Sequence, residues 1–444
     1  MAAHPAGSEM MCKLTIFTLG CGLLVPCSDA QVFPLTDSNL AIYGVNEAVE
    51  PQLTRDDQTL YERVAPLLRD QPKEAIRLVQ AERKPDASPA FFLLVGNLAY
   101  QADDLKLAEQ ELTRAITAMP SFRRAHRTLG LTYIRQSRYK EAGATWLKVI
   151  TLGGGDAQSY GLLAYAYLSE GKTASALSAY RMARMFAPDS LDFRRGEAQC
   201  LLASDQYPEA IALFDELIQE HPAERAYWLY QANAYLALER FEDAAANLEI
   251  ARELDASDAD ALFLLGGLYL QLDTPALALD AYRQALELKT PMDEAKALRP
   301  LPWLISRGMH AEAESYYASL DKSGIGNPQM RLHRAELDLA QGKNEAARQQ
   351  LADLIKTNPM NGPALLLLGR AFMDAGDTAE STFYFERALS VPESKQQALV
   401  ALGRMHVGLG NLDAARGLLR QAQAIDERED ISIFLDQIEA ALRP

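Results

Sequence analysis

The sequence predicts an all-α solenoid of about ten helix–turn–helix units, with a capping element at each end. Three observations predict it. Small residues recur on a fixed beat: Gly96, Gly130, Ala164, Ala198, Ala232 and Gly266 stand 34 apart. A second small set, Ala108, Ala142, Ala176, Ala210, Ala244 and Ala278, keeps the same step. Bulky residues keep it too, with Leu112, Trp146, Tyr180, Phe214, Leu248 and Tyr282 in one register and Tyr133, Tyr167, Tyr235 and Tyr269 in another. A fixed period of this size means a stack of like supersecondary units.

Apolar residues at three- and four-residue spacing give each unit two amphipathic helices. The small residues mark where two helix axes cross closely, where a larger side chain would cost about 1–3 kcal/mol. Pro120, Pro188, Pro222 and Pro359 fall between units and stop one helix before the next begins. In period and residue types the chain resembles the tetratricopeptide repeat family. The resemblance implies a right-handed superhelix whose first helices line an inner groove, and a function in binding other proteins.

The N-terminus reads as an export signal over residues 1–30. Lys13 precedes the apolar run Leu14 to Val25, followed by Pro26 and by Ser28, Asp29 and Ala30, with small residues where a signal peptidase cuts. Cleavage is expected after Ala30. An uncleaved anchor and a lipidated Cys21 or Cys27 are the alternatives. Residues 31–56 are expected to form an extended arm or linker. Residues 57–88 carry a helical pair without the close-approach glycine, as a terminal cap should. Six repeats are expected over 89–293, then an irregular one over 294–327. There Pro300 and Pro302 interrupt the first helix, Leu301 stands where a small residue belongs, and the unit ends in a flexible turn, 323–328. This unit is expected to be a bend between two arrays. Three further repeats cover 328–429, and a helix in 430–444 caps the stack.

The chain has 444 residues and a formal net charge of −16. That argues against a general nucleic-acid binder, which needs a basic footprint, and against adhesion to anionic lipid. Of four cysteines, Cys12, Cys21 and Cys27 precede the expected cut, so a processed chain has no internal disulfide. Cys200 reads as a small buried residue. The histidines form no metal-binding pair, and no nucleophile with a base is visible. Gly153, Gly154 and Gly155 follow a helix rather than a strand and read as a loose turn, not a phosphate loop. No catalytic residue, metal ligand or cofactor is expected.

What remains is a partner-binding groove. The second, fifth, ninth and twelfth positions of each first helix share a stripe. It holds Asn97, Tyr100, Arg124, Arg127 and Ile134 in the first two units, and Arg195, Gln199, Asn233 and Leu236 in the fourth and fifth. Asn97 and Asn233 fall where relatives that clamp a C-terminal carboxylate place asparagine. Leu93, Leu131, Gln158 and Leu162 take the places of that clamp's other residues, so the full clamp is missing. Two readings stay open: these side chains hold a partner's backbone or carboxylates, or they pair with nearby acids such as Glu197. Trp303, beside Pro302, is open to burial or to exposure as an anchor.

The expected function is a non-catalytic scaffold in the bacterial cell envelope, binding a peptide or helix of a protein partner. In overall organisation the chain is similar to exported repeat proteins that accompany TonB-type outer-membrane uptake systems. Assembly of outer-membrane protein or polysaccharide, and a cytoplasmic regulatory adaptor, are the alternatives.

Overall fold

The computed structural model describes residues 50–51, 54–67, 71–255, 258–288 and 292–442. The expected export signal, with Cys12, Cys21 and Cys27, and the arm as far as residue 49 lie outside the described residues. Contacts divide the chain into two compact units between Ala234 and Tyr235.

In the first unit, α1 (Arg55–Val64) and α2 (Pro72–Ala81) form the N-terminal cap. Thr54 opens α1 with a reciprocal cap: its side chain accepts from the Asp57 N–H, and Asp57 accepts from the Thr54 N–H. Four helical hairpins follow: α3 (Pro89–Gln101) with α4 (Leu105–Ala118), α5 (Arg123–Arg135) with α6 (Tyr139–Val149), α7 (Ala157–Ser169) with α8 (Thr173–Phe186), and α9 (Leu191–Ala203) with α10 (Tyr207–Glu220). Helix α11 (Arg225–Ala237) contains the unit boundary.

The second unit continues through α12 (Phe241–Leu254), α13 (Ala259–Gln271), α14 (Pro275–Glu287), α15 (Glu294–Leu298), α16 (Pro300–Ser306) and α17 (His310–Ser323). It ends with α18 (Pro328–Ala340), α19 (Asn344–Thr357), α20 (Gly362–Asp374), α21 (Thr378–Leu389), α22 (Lys395–Gly408), α23 (Leu412–Ile425) and the capping α24 (Glu429–Ala441). No strand is present among the described residues.

Within each unit the second helix of a hairpin packs on its own first helix and on the next one, as α4 does on α3 and α5. Consecutive first helices also touch, α3 with α5, α7 with α9, and α20 with α22. The small-residue register supplies the room. A methyl carbon added to Gly130 would lie 2.8 Å from Nε1 of Trp146 on the partner helix, and Trp146 is fully buried. Leu112, Tyr180, Phe214, Leu248 and Tyr282 are buried with it, so these bulky positions are core.

The turn inside each hairpin carries a periodicity of its own. At the end of every first helix from α3 onward one residue adopts left-handed backbone: Asp103, Ser137, Gly171, Asp205, Glu239 and Asp273, then Gly308, Gly342, Gly376 and Gly410. The next N–H bonds back five residues, from Asp104 to the Ala99 carbonyl through Asn411 to His406, at 2.8–3.0 Å. This bond satisfies a helix-end carbonyl that would otherwise be orphaned. A side chain with a Cβ pays about 1–2 kcal/mol for left-handed backbone. Glu239 is exposed and sits at φ 56°. Glu239→Gly is therefore expected to raise stability by roughly 0.5–1 kcal/mol, after glycine's larger unfolded-state entropy is subtracted. A urea midpoint unchanged or lowered would refute this.

The irregular repeat accommodates its two prolines at an interruption of its first helix. Its first helix is broken into α15 and α16, but Arg299 between them keeps right-handed helical backbone (φ −54°, ψ −37°). Pro300 and Pro302 both fall in the first turn of α16, where missing N–H groups cost little. Leu301 fills the small-residue slot and is fully buried. The Tyr316 hydroxyl donates to the Ala297 carbonyl at 2.7 Å, beside the break.

Candidate partner-binding face

The first helices present the stripe that the sequence singles out, and most of its side chains are already engaged within the chain. Asn97 accepts a hydrogen bond from the Thr128 hydroxyl at 2.9 Å. Tyr100 is buried, with the Arg135 guanidinium 4.9 Å from its ring centre, and burial pushes its hydroxyl pKa up. Arg124 donates through Nε to Glu50 at 2.6 Å. Arg127 donates to Asp156 at 2.8 Å and to Gln158 at 2.7 Å, while lying 5.9 Å from the Trp146 ring. Arg195 pairs with Asp192, on its own helix, at 3.2 Å. Gln199 donates to the Tyr230 hydroxyl at 3.3 Å. Asn233, Ile134 and Leu236 are half-buried. Glu197, the acid expected near Arg195, is held instead by Arg181 and Arg184 from α8.

Asp156 shows how such pairs are built into the fold. It caps α7 by accepting from the Ser159 N–H at 2.7 Å, and it receives Arg127 from the preceding repeat. Burial works against its charged form. The Arg127 bond and charge, with the bond from Ser159, outweigh it and hold the carboxyl below the usual aspartate range. A depressed carboxyl contributes stability above the unfolded value of about 3.9, and the contribution is lost as pH falls through the folded value. Asp156→Asn keeps a cap but removes the charge. Since the side chain is 36% exposed, solvent screening holds the expected cost at neutral pH to about 1 kcal/mol. The gap between the two proteins should close as acid protonates Asp156; a gap independent of pH would disprove the coupling.

Other candidates resolve as structural. Burial pushes the Cys200 thiol up to about 12, with Glu197 adding to the effect, so it is inert at neutral pH. Burial lowers the His126 pKa, and the ring bonds to the Pro120 carbonyl at 3.0 Å. Gly153 takes φ 78°, and its carbonyl accepts from Arg123 at 3.2 Å, so the glycine run is a tight turn. Trp303 is half-buried, with Arg307 5.0 Å from its ring.

Two residues on the same stripe, not among those singled out from the sequence, complete the picture. Arg370 on α20 and Arg404 on α22 hold the same ninth position and stand 34 apart. Both are exposed, and neither bonds to or pairs with another described residue. Half-buried Leu366, Met373, Val400 and Val407 flank them at the neighbouring stripe positions. Their shared register was the available signal.

Models of the tetratricopeptide repeat match residues 93–158, 229–293 and 332–389 and residues 167–234. The chain belongs to the tetratricopeptide repeat family. Repeats of this family are typically non-enzymatic interaction scaffolds. Among curated proteins the chain is similar to the protein CTR9 homolog of Arabidopsis thaliana, 24% identical over 274 residues, or 59% of this chain. The match spans about a quarter of that relative's length (25%). Among solved structures it is similar to YrrB, described as a TPR protein with an unusual peptide-binding site (19% identity, TM-score 0.38, 44% of this chain and 96% of that one). It is also similar to MamA of Desulfovibrio magneticus RS-1 (17%, TM-score 0.36, 38% and 94%). A tetratricopeptide repeat protein from Parabacteroides merdae ATCC 43184 gives 15%, TM-score 0.35, 64% and 98%.

Proposed function

We propose that this tetratricopeptide repeat protein is a non-catalytic scaffold of the bacterial cell envelope. On this reading its first-helix face holds an acidic segment, peptide or helix, of a partner protein. The observation that carries the binding reading is the pair Arg370 and Arg404. On a chain of net charge −16, most arginines of the repeats sit against a carboxylate. These two do not, and they share one face with aliphatic side chains on either side. Guanidinium forks match carboxylates bidentately, and the flanking aliphatics supply apolar area for the partner. Exposed ion pairs contribute only about 0–1 kcal/mol each, so the arginines set register and charge preference while apolar burial sets affinity.

The test is partner capture from envelope extracts with wild-type protein and the double variant Arg370→Glu, Arg404→Glu. A partner retained by the first and lost by the second, with the helical signal unchanged, is expected. Equal capture by both sinks the assignment.

The envelope placement rests on Lys13, the apolar run Leu14 to Val25, and Ser28 to Ala30. N-terminal sequencing of mature protein is expected to begin at Gln31; a start at Met1 or Met10 favours the cytoplasmic adaptor. The narrowest form of the reading makes the protein an accessory to a TonB-type uptake system. It requires the captured partner to come from that system.

A further inference from the structure

We infer that Arg124 marks a carboxylate-docking position on the first-helix face of the first two repeats, held in cis by the chain's own Glu50. An acidic segment of another protein then binds there only by displacing Glu50. The inference rests on the reading that the first-helix face binds partner segments, and adds how that face is controlled in the first two repeats.

Glu50 precedes the N-cap of α1 by four residues and lies 74 residues from Arg124 in sequence. It belongs to no helix, yet it is only 4% exposed. Its Oε2 accepts from Arg124 Nε at 2.6 Å. Its Oε1 is buried and has no hydrogen-bond partner. A buried carboxylate with one oxygen unsatisfied is a poor resident, because the unpaired oxygen carries its full desolvation penalty. Arg124 is equally underused. It meets Glu50 through Nε alone, and 37% of its side chain stays exposed. Its fork can take a second carboxylate oxygen.

A second donor stands close by. Thr128 follows Arg124 by one helical turn and donates to Oδ1 of Asn97. That bond orients the Asn97 amide so that its NH2 is left to donate, beside a threonine that stands about one turn, or roughly 5 Å, along α5 from Arg124. A partner acid can therefore engage the guanidinium fork while its backbone carbonyl meets Asn97. Glu50, engaged at one oxygen, matches only part of this. Its advantage is tethering, which gives a weak contact a high effective concentration.

The probe is a labelled synthetic peptide copying residues 44–52 of this chain (Gly-Val-Asn-Glu-Ala-Val-Glu-Pro-Gln), titrated by fluorescence anisotropy into full-length protein. Glu50→Gln should bind it about tenfold tighter than wild type, the weight of one charge-assisted hydrogen bond. Adding Arg124→Gln to that variant should abolish the gain. A control peptide with Gln in place of its second Glu should bind neither protein. Equal affinity of wild type and Glu50→Gln, or undiminished binding after Arg124→Gln, would overturn the inference. Circular dichroism of each variant separates these outcomes from misfolding. Arg370→Glu with Arg404→Glu should leave the peptide titration unchanged. Lost displacement with partner capture intact therefore rejects the Glu50 strap alone, whereas lost capture with displacement intact rejects the wider reading.

Discussion

Replacing Trp146 with alanine is expected to destabilise the first unit by about 3–5 kcal/mol, the usual cost of emptying a large buried aromatic site. Trp146 is fully buried on α6 and belongs to one core with Val149, Leu162 and Leu163. It fills the gap that Gly130 leaves open, and the Arg127 guanidinium lies over its ring. Collapse into the void is restricted, because α5 is held at the neighbouring repeat by the Arg127–Asp156 pair. The buried indole N–H has no partner, so no hydrogen bond is lost with it and the cost is one of packing. In a stack whose members touch only their neighbours, such damage stays local. Hydrogen exchange should lose protection over α5 to α8 while α18 to α23 keep theirs. A loss spread evenly along the chain, or a cost below 1 kcal/mol, would show that Trp146 does not hold the second repeat together.

The crossing slots were legible because they obey a local rule: where two axes approach, volume is limited, and volume is written in residue type. Gly96 against Leu112 and Gly369 against Phe385 are pairs within one hairpin, a fixed 16 residues apart. The left-handed turns obey an equally strict rule but were disguised. Glycine holds that position in the last four repeats and, as Gly171, in the third, while Asp103, Ser137, Asp205, Glu239 and Asp273 hold it in the others. Acids that look like solvated surface were turn residues.

The stripe on the first helices was legible as a register and not as a state of charge. Whether an arginine is free depends on which acids the neighbouring helices offer. Arg127 finds Asp156, 29 residues away, because the next repeat's N-cap lies beside it. Arg124 finds Glu50 from outside the repeats altogether, where no periodicity points. Arg370 and Arg404 share the period and have no such acid, and that difference is set by tertiary neighbours rather than by spacing.

Gly266→Leu tests the crossing rule where the ring opposite has nowhere to go, and it is expected to cost about 3 kcal/mol. A methyl carbon added at Gly266 would already lie 2.5 Å from Cδ2 and Cε2 of Tyr282 and 3.2 Å from the Ala278 carbonyl. Tyr282 is fully buried, with Phe263 5.6 Å away on one side and Tyr316 6.0 Å away on another, centre to centre. It is walled in by aromatic neighbours, and Tyr316 is itself tied to Ala297. Gly266→Ala therefore sets two effects against each other. The helix gains about 1 kcal/mol in propensity, and overpacking costs about 1–3 kcal/mol. With the ring fenced in, overpacking should win, for a net loss of about 1 kcal/mol. The eighth repeat shows the remedy, since there the same two positions are Ala335 and Leu351, both fully buried in one core. Combining Gly266→Ala with Tyr282→Leu should thus cost less than the two single changes added together, a coupling expected only between residues in contact. Urea denaturation of the four proteins measures it. Strict additivity would mean that Gly266 is not there to make room for Tyr282.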